Sequence, residues 1–167
     1  DRDIGHSGAG HVCYVDLFGK GKTLLAKVPA VVLGGTSGRA QGMPDALPSD
    51  ILGNRIIDFD ENGKRIFRLV HGPAFADVQL YDEINRFTPR ALAALLELLG
   101  EGRITIAGET HEVDPFVIFT MNPVETEGTN QLPEALLDRI MFMLRGEKFT
   151  AEVFTKILRR TRGFLSL

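Results

Sequence analysis

"DLFGKGKT", residues 16–23, is the stretch on which the reading of this chain turns. It approaches the phosphate-binding pattern G-x-x-x-x-G-K-[ST]. Gly21, Lys22 and Thr23 fill the last three places, but Asp16 stands where the first glycine belongs. Gly19 and Gly21 let a backbone come close to a phosphate and turn its amides toward it. The amides of the helix that follows add to that cradle, so the candidate binding run is Gly19, Lys20, Gly21, Lys22, Thr23 and Leu24. Lys22 has the reach for β- and γ-phosphates, and the Thr23 hydroxyl is a ligand for Mg²⁺. A glycine turn before a helix with a surface lysine gives the same letters, and the loop alone leaves both readings open.

The flanks favour an α/β arrangement. "HVCYV" (residues 11–15) is short, apolar and β-branched, as a buried strand is. "KTLLAKVPAVVL" has helical spacing at Leu24, Leu25, Val28, Val31 and Val32, with Pro29 expected to kink or shorten it. "GGTSGRAQG" reads as loop with at most a short strand, and "LPSDIL" as a capped helical turn. "NRIIDFDENGKRIFRLV" is a hairpin around Asn62-Gly63. "DVQLYDE" is a second core strand. "TPRALAALLELLGEG" is a helix with Thr88 as cap, Pro89 in its first turn and Gly100 at its end. "RITIAGETHEV" is a hairpin with Gly108 near its turn, and "PFVIFTMN" a buried strand. "LPEALLDR" is a short helix, "IMFML" a strand and "TAEVFTKILRRTR" an amphipathic helix. Strands alternating with helices predict a mainly parallel sheet covered on both faces, with ligands at the carboxyl ends of its strands.

Four further residues carry chemistry. Asp82 and Glu83 end an apolar strand. An acid there can hold Mg²⁺, and a second can deprotonate an attacking water. Because side chains alternate along a strand, the two carboxylates can face different targets. Asn122 follows "PFVIFTM" and can project into the same cleft, although "NP" at 122–123 is also a common loop start. Arg139 can stabilise charge on a transferring phosphoryl group, often in trans. An intrachain ion pair with Asp138 or Glu134 reads equally well.

Composition sets limits. The chain has 167 residues, enough for one domain, with 44% hydrophobic and 25% charged residues and a net charge of −3. That charge argues against a nucleic-acid coat, and Lys156, Arg159, Arg160 and Arg162 read as a solvated helix face. A single cysteine, Cys13, rules out an internal disulfide, fits a reducing compartment, and reads as a small buried apolar residue. No apolar run is long enough to span a bilayer. Histidines 6, 11, 71 and 111 lack paired ligand spacing, so no zinc site is expected. The chain enters its first strand almost at once, as a region of a longer protein would.

Taken together, these segments resemble the MoxR family of AAA+ ATPases over about residues 11–144. "GHVCYVDLFGKGKTLLAK" resembles its Walker A segment, and "GPAFADVQLYDEINR" its Walker B. "LPSDILGN" resembles the helix-2 insert region, and "ALLELLGEGRITIAGETHEV" the helix and hairpin before sensor 1. "FTMNPVETEGTNQLPEALLDR" resembles the run from sensor 1 to the arginine finger. MoxR-type loops often begin with Asp, which accounts for Asp16. The resemblance implies one AAA+ core domain over residues 1–167. That core is a P-loop NTPase with a mainly parallel five-stranded sheet sandwiched by helices and two inserted β-hairpins, residues 54–69 and 103–113. It implies ATP and Mg²⁺ as cofactors, Lys22 and Thr23 as the Walker A pair, and Asp82 and Glu83 as the Walker B pair. Asn122 becomes sensor 1 and Arg139 the arginine finger.

By the same resemblance the protein is a cytoplasmic ATPase in a homo-oligomeric, usually hexameric ring. Its work is chaperone-like, on a client such as a von Willebrand A domain protein. Phe18 in place of the usual proline, the extra charge of Lys20, and Pro29 depart from the family pattern. The chain stops before the helical lid of relatives. Those departures keep open a nucleotide-gated scaffold with little hydrolysis. A nucleic-acid-directed AAA+ relative is a further alternative.

Overall fold

The computed structural model describes residues 10–15, 22–121 and 131–145, with 22–25 as backbone only. In chain order its elements are β1 (His11–Val15), α1 (Lys22–Leu33), β2 (Ser37–Gln41), α2 (Pro48–Leu52), β3 (Gly53–Phe59) and β4 (Arg65–His71). There follow β5 (Val78–Asp82), α3 (Pro89–Glu101), β6 (Arg103–Ile106), β7 (Glu109–Glu112), β8 (Phe116–Met121), α4 (Glu134–Leu137) and β9 (Ile140–Arg145). The amphipathic helix expected over residues 150–162 lies outside the described residues.

Five strands form one sheet in the order β2-β5-β8-β1-β9, every neighbouring pair parallel. Alternation divides its side chains between two cores. Val78, Leu80 and Ile118 pack with Ala26 and Ala30 of α1 on one face. Cys13, Val15, Tyr81, Val117 and Phe119 pack with Ala91, Leu92, Leu95 and Leu98 of α3 on the other. The predicted two-sided sheet is thus present. β2 corrects the expectation of a loop with at most a short strand. It is a full five-residue edge strand paired with β5. Its polar sequence hid it, because at an edge only Ala40 needs to be buried.

Pro29 does not shorten α1, and the valines of α1 do not face the sheet. Its helix runs through Pro29 to Leu33. Three residues of the apolar stripe read from the sequence face outward, Val28, Val31 and Val32, at 54%, 79% and 78% exposure. Contact with the sheet falls instead to Ala26 and Ala30, one helical turn apart and both buried. Small side chains let the helix lie close to the strands. That packing outweighs the roughly 3 kcal/mol local cost of an interior proline.

In α3, Thr88 accepts a hydrogen bond from the Ala91 amide and Pro89 opens the first turn, as the sequence indicated. The end signal is Gly102, not Gly100: Gly102 adopts φ +63° and its amide donates to Leu98 O. Gly100 is inside the helix, where a Cβ would lie 2.8 Å from Arg139 Nη2. It is small because the guanidinium rests on it.

Both hairpins form. β3 and β4 pair antiparallel, and the Asp60 carboxylate accepts from the Asn62 and Lys64 amides across their turn. β6 and β7 join through Ala107-Gly108, both at positive φ, as a type I′ turn requires. The hairpins meet where His71 stacks on Phe75 at 4.0 Å and Phe75 meets His111 edge-on at 5.3 Å. Arg55 of β3 reaches Glu109 of β7 at 3.8 Å.

His11 opens β1 beneath this frame. It is buried, and its Nδ1 accepts from the Val117 amide at 3.3 Å. Burial lowers its pKa below 6.5; Asp114 opposes that shift and Arg139 adds to it. The folded chain therefore binds this proton less readily than the unfolded chain. Its contribution to stability is present above about pH 6.5 and is lost as pH falls from there through the folded value. His11→Asn keeps an acceptor for Val117 and removes the titration. Urea unfolding between pH 7.5 and 5 should show a smaller loss of stability in the variant than in the parent, and equal losses would contradict this account.

Candidate functional site

The site is built at the carboxyl end of β5, the strand buried along its whole length. Register puts Asp82 and Thr120 in the even-numbered rows that include Leu80 and Ile118, on the face covered by α1. α1 packs on those rows and starts at Lys22, seven residues after β1 ends at Val15. Its first turn, Lys22, Thr23 and Leu24, therefore opens at the same sheet edge as Asp82. In an open parallel α/β sheet, ligands bind at this end of the strands.

Asp82 is 3% exposed, and its carboxylate is held on both oxygens. The Thr120 hydroxyl donates to Oδ1, and Arg39 Nη2 donates to Oδ2 at 2.7 Å. Arg39 reaches there because it sits opposite Leu80 in the β2–β5 register, so its side chain leaves the sheet on the same face as Asp82. The same Nη2 also donates to Gln41 Oε1 at 2.8 Å.

Glu83 leaves the strand with φ 55° and ψ 52°, a left-handed conformation uncommon for a residue with a side chain. Such strain persists only where the surroundings enforce it. Three contacts do so here. The Glu83 amide donates to Thr120 Oγ1 at 3.0 Å. The Gly42 amide donates to Asp82 O at 2.7 Å. A Cβ on Gly42 would lie 2.2 Å from Glu83 O, so only glycine fits there. The turn swings the Glu83 side chain away from Asp82 and toward Arg86, whose Nη1 donates to Oε2 at 2.9 Å. The two acids therefore face different partners, as their adjacency in sequence suggested.

Thr120, Arg39, Gly42 and Arg86 are the site residues that sequence reading missed. Thr120 had a signal, a hydroxyl inside the apolar run "FVIFTM". Arg39 and Gly42 had none, because the strand that brings them in was read mainly as loop.

The remaining candidates divide. Gly19, Lys20, Gly21 and Asn122 lie outside the described residues. Arg139 is described, and it is far from the acid pair. It directly precedes β9, at the end of the sheet where β1 starts, since His11 pairs with Ile140. With ~3.3 Å of rise per residue along five-residue strands, roughly 13 Å or more of sheet separates it from Asp82. Its Nη1 donates to Ala135 O at 2.6 Å. Among the described residues this bond replaces the expected alternative, an ion pair with Asp138 or Glu134.

The donor chemistry at Asp82 is all oxygen and charge, which suits a hard divalent cation such as Mg²⁺. Cys13, by contrast, is buried in the core and its thiol is pushed up to about 11, so it has no part in the chemistry.

The fold and this corner define a P-loop α/β nucleotide-site protein. The family described as "ATPase family associated with various cellular activities (AAA)" matches residues 11–142. The YeaC protein of Bacillus subtilis is 45% identical over 139 residues, covering 81% of this chain and 42% of YeaC. Chaperone MoxR1 of Mycobacterium tuberculosis is 40% identical over 143 residues, covering 84% and 37%. The MoxR protein of Paracoccus denitrificans is 33% identical, covering 79% and 40%. A crystal structure of a candidate ATPase from Cytophaga hutchinsonii superposes with a TM-score of 0.75 at 35% identity, over 92% of this chain and 46% of that one. The chain belongs to the AAA family of ATPases, and within it to the MoxR group. It spans less than half the length of the curated relatives it matches.

If the Thr120 hydroxyl holds both acids in place, Thr120→Val should cost about 1–3 kcal/mol, because a buried carboxylate oxygen and the Glu83 amide lose their partner. Thr120→Ser should restore most of that. Urea denaturation of the three proteins measures the difference.

Proposed function

We propose that this chain is the nucleotide-hydrolysing core of a MoxR-type AAA+ protein that uses ATP to remodel or mature a protein partner. The observation that carries this reading is the Asp82–Thr120–Glu83 corner, held at the sheet edge where α1 begins. Lys22 and Thr23, as the first residues of α1, take the phosphate and metal roles. Gly19, Lys20, Gly21 and Leu24 complete the cradle by their amides. Asp82 and Thr23 would hold Mg²⁺, which would supply positive charge against the phosphate oxygens of ATP. Glu83 accepts the proton of the attacking water, and Asn122 orients that water or a γ-phosphate oxygen.

Arg139 lies at the opposite sheet edge from Glu83 of its own chain. It serves the nucleotide of a neighbouring copy, which makes a ring, hexameric as in the family pattern, part of the mechanism. The name of the mycobacterial relative, a chaperone, supports protein remodelling as the output. A von Willebrand A domain protein is the partner class we assign, and the cytoplasm the compartment. Among the described residues no helix is long and apolar enough to cross a membrane.

Two measurements test this. Glu83→Gln should retain ATP·Mg²⁺ binding by calorimetry and lose at least about a hundredfold in phosphate release from the assembled full-length protein, the scale of a general base. Unchanged release would remove Glu83 from the role. Glu83→Gln and Arg139→Ala subunits should each be inactive alone and regain part of the activity when mixed. Mixed rings contain interfaces in which an intact Glu83 meets an intact Arg139. No recovery on mixing would count against action in trans.

A further inference from the structure

We propose that Arg39, with Arg86, makes this site accept a divalent cation together with its nucleotide and refuse the bare ion; the inference rests on the nucleotide reading above. Each acid of the corner is met by its own guanidinium. Arg39 Nη2 is 2.7 Å from Asp82 Oδ2, and Arg86 Nη1 is 2.9 Å from Glu83 Oε2. Two carboxylates and two guanidiniums leave no net formal charge in this group of four.

Arg39 is not a chance surface pairing. The Nη2 that meets Asp82 also donates to Gln41 Oε1, and Arg39 enters from an edge strand whose register faces it onto Asp82. Its partner carboxylate is 4% exposed, so solvent screens the pair weakly on that side. A bare cation approaching Asp82 meets a positive group in contact with the oxygen it needs. A cation carrying a triphosphate brings net negative charge, which both guanidiniums attract. Metal and nucleotide therefore load as one species. Arg39 is a positioning residue, since it acts through Asp82.

Mn²⁺ is a paramagnetic probe for the cation alone, and its binding is read by electron paramagnetic resonance without any turnover. The parent chain should bind Mn²⁺ weakly without nucleotide. Arg39→Gln should bind it at least roughly tenfold more tightly, because one nearby positive charge is gone. Arg39→Lys keeps the charge and should still exclude the ion. Adding Asp82→Asn to Arg39→Gln should abolish the gain, which assigns the ion to Asp82. If Arg39→Gln fails to fold by circular dichroism, Arg39→Met enters the same measurement.

Equal Mn²⁺ binding by the parent and the charge-removing variant would overturn the proposal, as would a gain that survives Asp82→Asn. If the parent binds no Mn²⁺·ATP while the bare-ion difference is still seen, it is the nucleotide reading that fails. The charge effect of Arg39 would then stand alone.

Discussion

The Thr120 hydroxyl ties together two residues that could not otherwise occupy their places. Asp82 ends a strand buried on both faces, where an ionised carboxylate needs partners. Glu83 follows in a left-handed conformation that needs its amide held. One hydroxyl on the neighbouring strand donates to the first and accepts from the second. This works only because β5 and β8 are parallel and in register, so that Thr120 falls beside the end of β5. Gly42 completes the corner by having no side chain where the Glu83 carbonyl lies. The acids, the strain and the register form one cooperative arrangement, and loss of any part releases the others.

The opposite sheet edge has its own logic. α3 runs back across the sheet, so its end at Gly100 and Gly102 lies beside Arg139 and the start of β9. Gly100 leaves room for the guanidinium, and Gly102 turns the chain into the β6–β7 hairpin. That hairpin touches the β3–β4 hairpin through Arg55–Glu109 and the His71–Phe75–His111 contacts. One helix thus joins Arg139 to both inserted hairpins. The acid pair at the other edge is joined to α1. A parallel sheet covered by helices separates Arg139 from the acid pair by the length of its strands.

Much of this was legible. β1, β5 and β8 announced themselves as short apolar runs, and Thr88-Pro89 fixed the start of α3. The acid pair stood out because two carboxylates directly after an apolar strand are costly unless used. What was misread shares a cause. The valines of α1 have helical spacing, but spacing does not say which side meets the sheet, and the alanines pack more closely. Gly100 and Gly102 are equivalent as letters, while only one has a left-handed backbone. β2 is too polar to look like a strand because it is an edge. Arg39 was invisible because its importance lies 43 residues away, at Asp82.

The sequence by itself determined most of the element order, the helix that follows β1, the acids at the end of β5 and the positions of both hairpins. These are local properties, set by periodicity, turn chemistry and capping over a few residues. Only the tertiary structure decided that Thr120 holds both acids, that Arg39 and Arg86 neutralise them, and that Arg139 stands at the far edge of the sheet. Those facts depend on strand order and register. Order and register are set by how whole faces pack, which no short window of sequence contains.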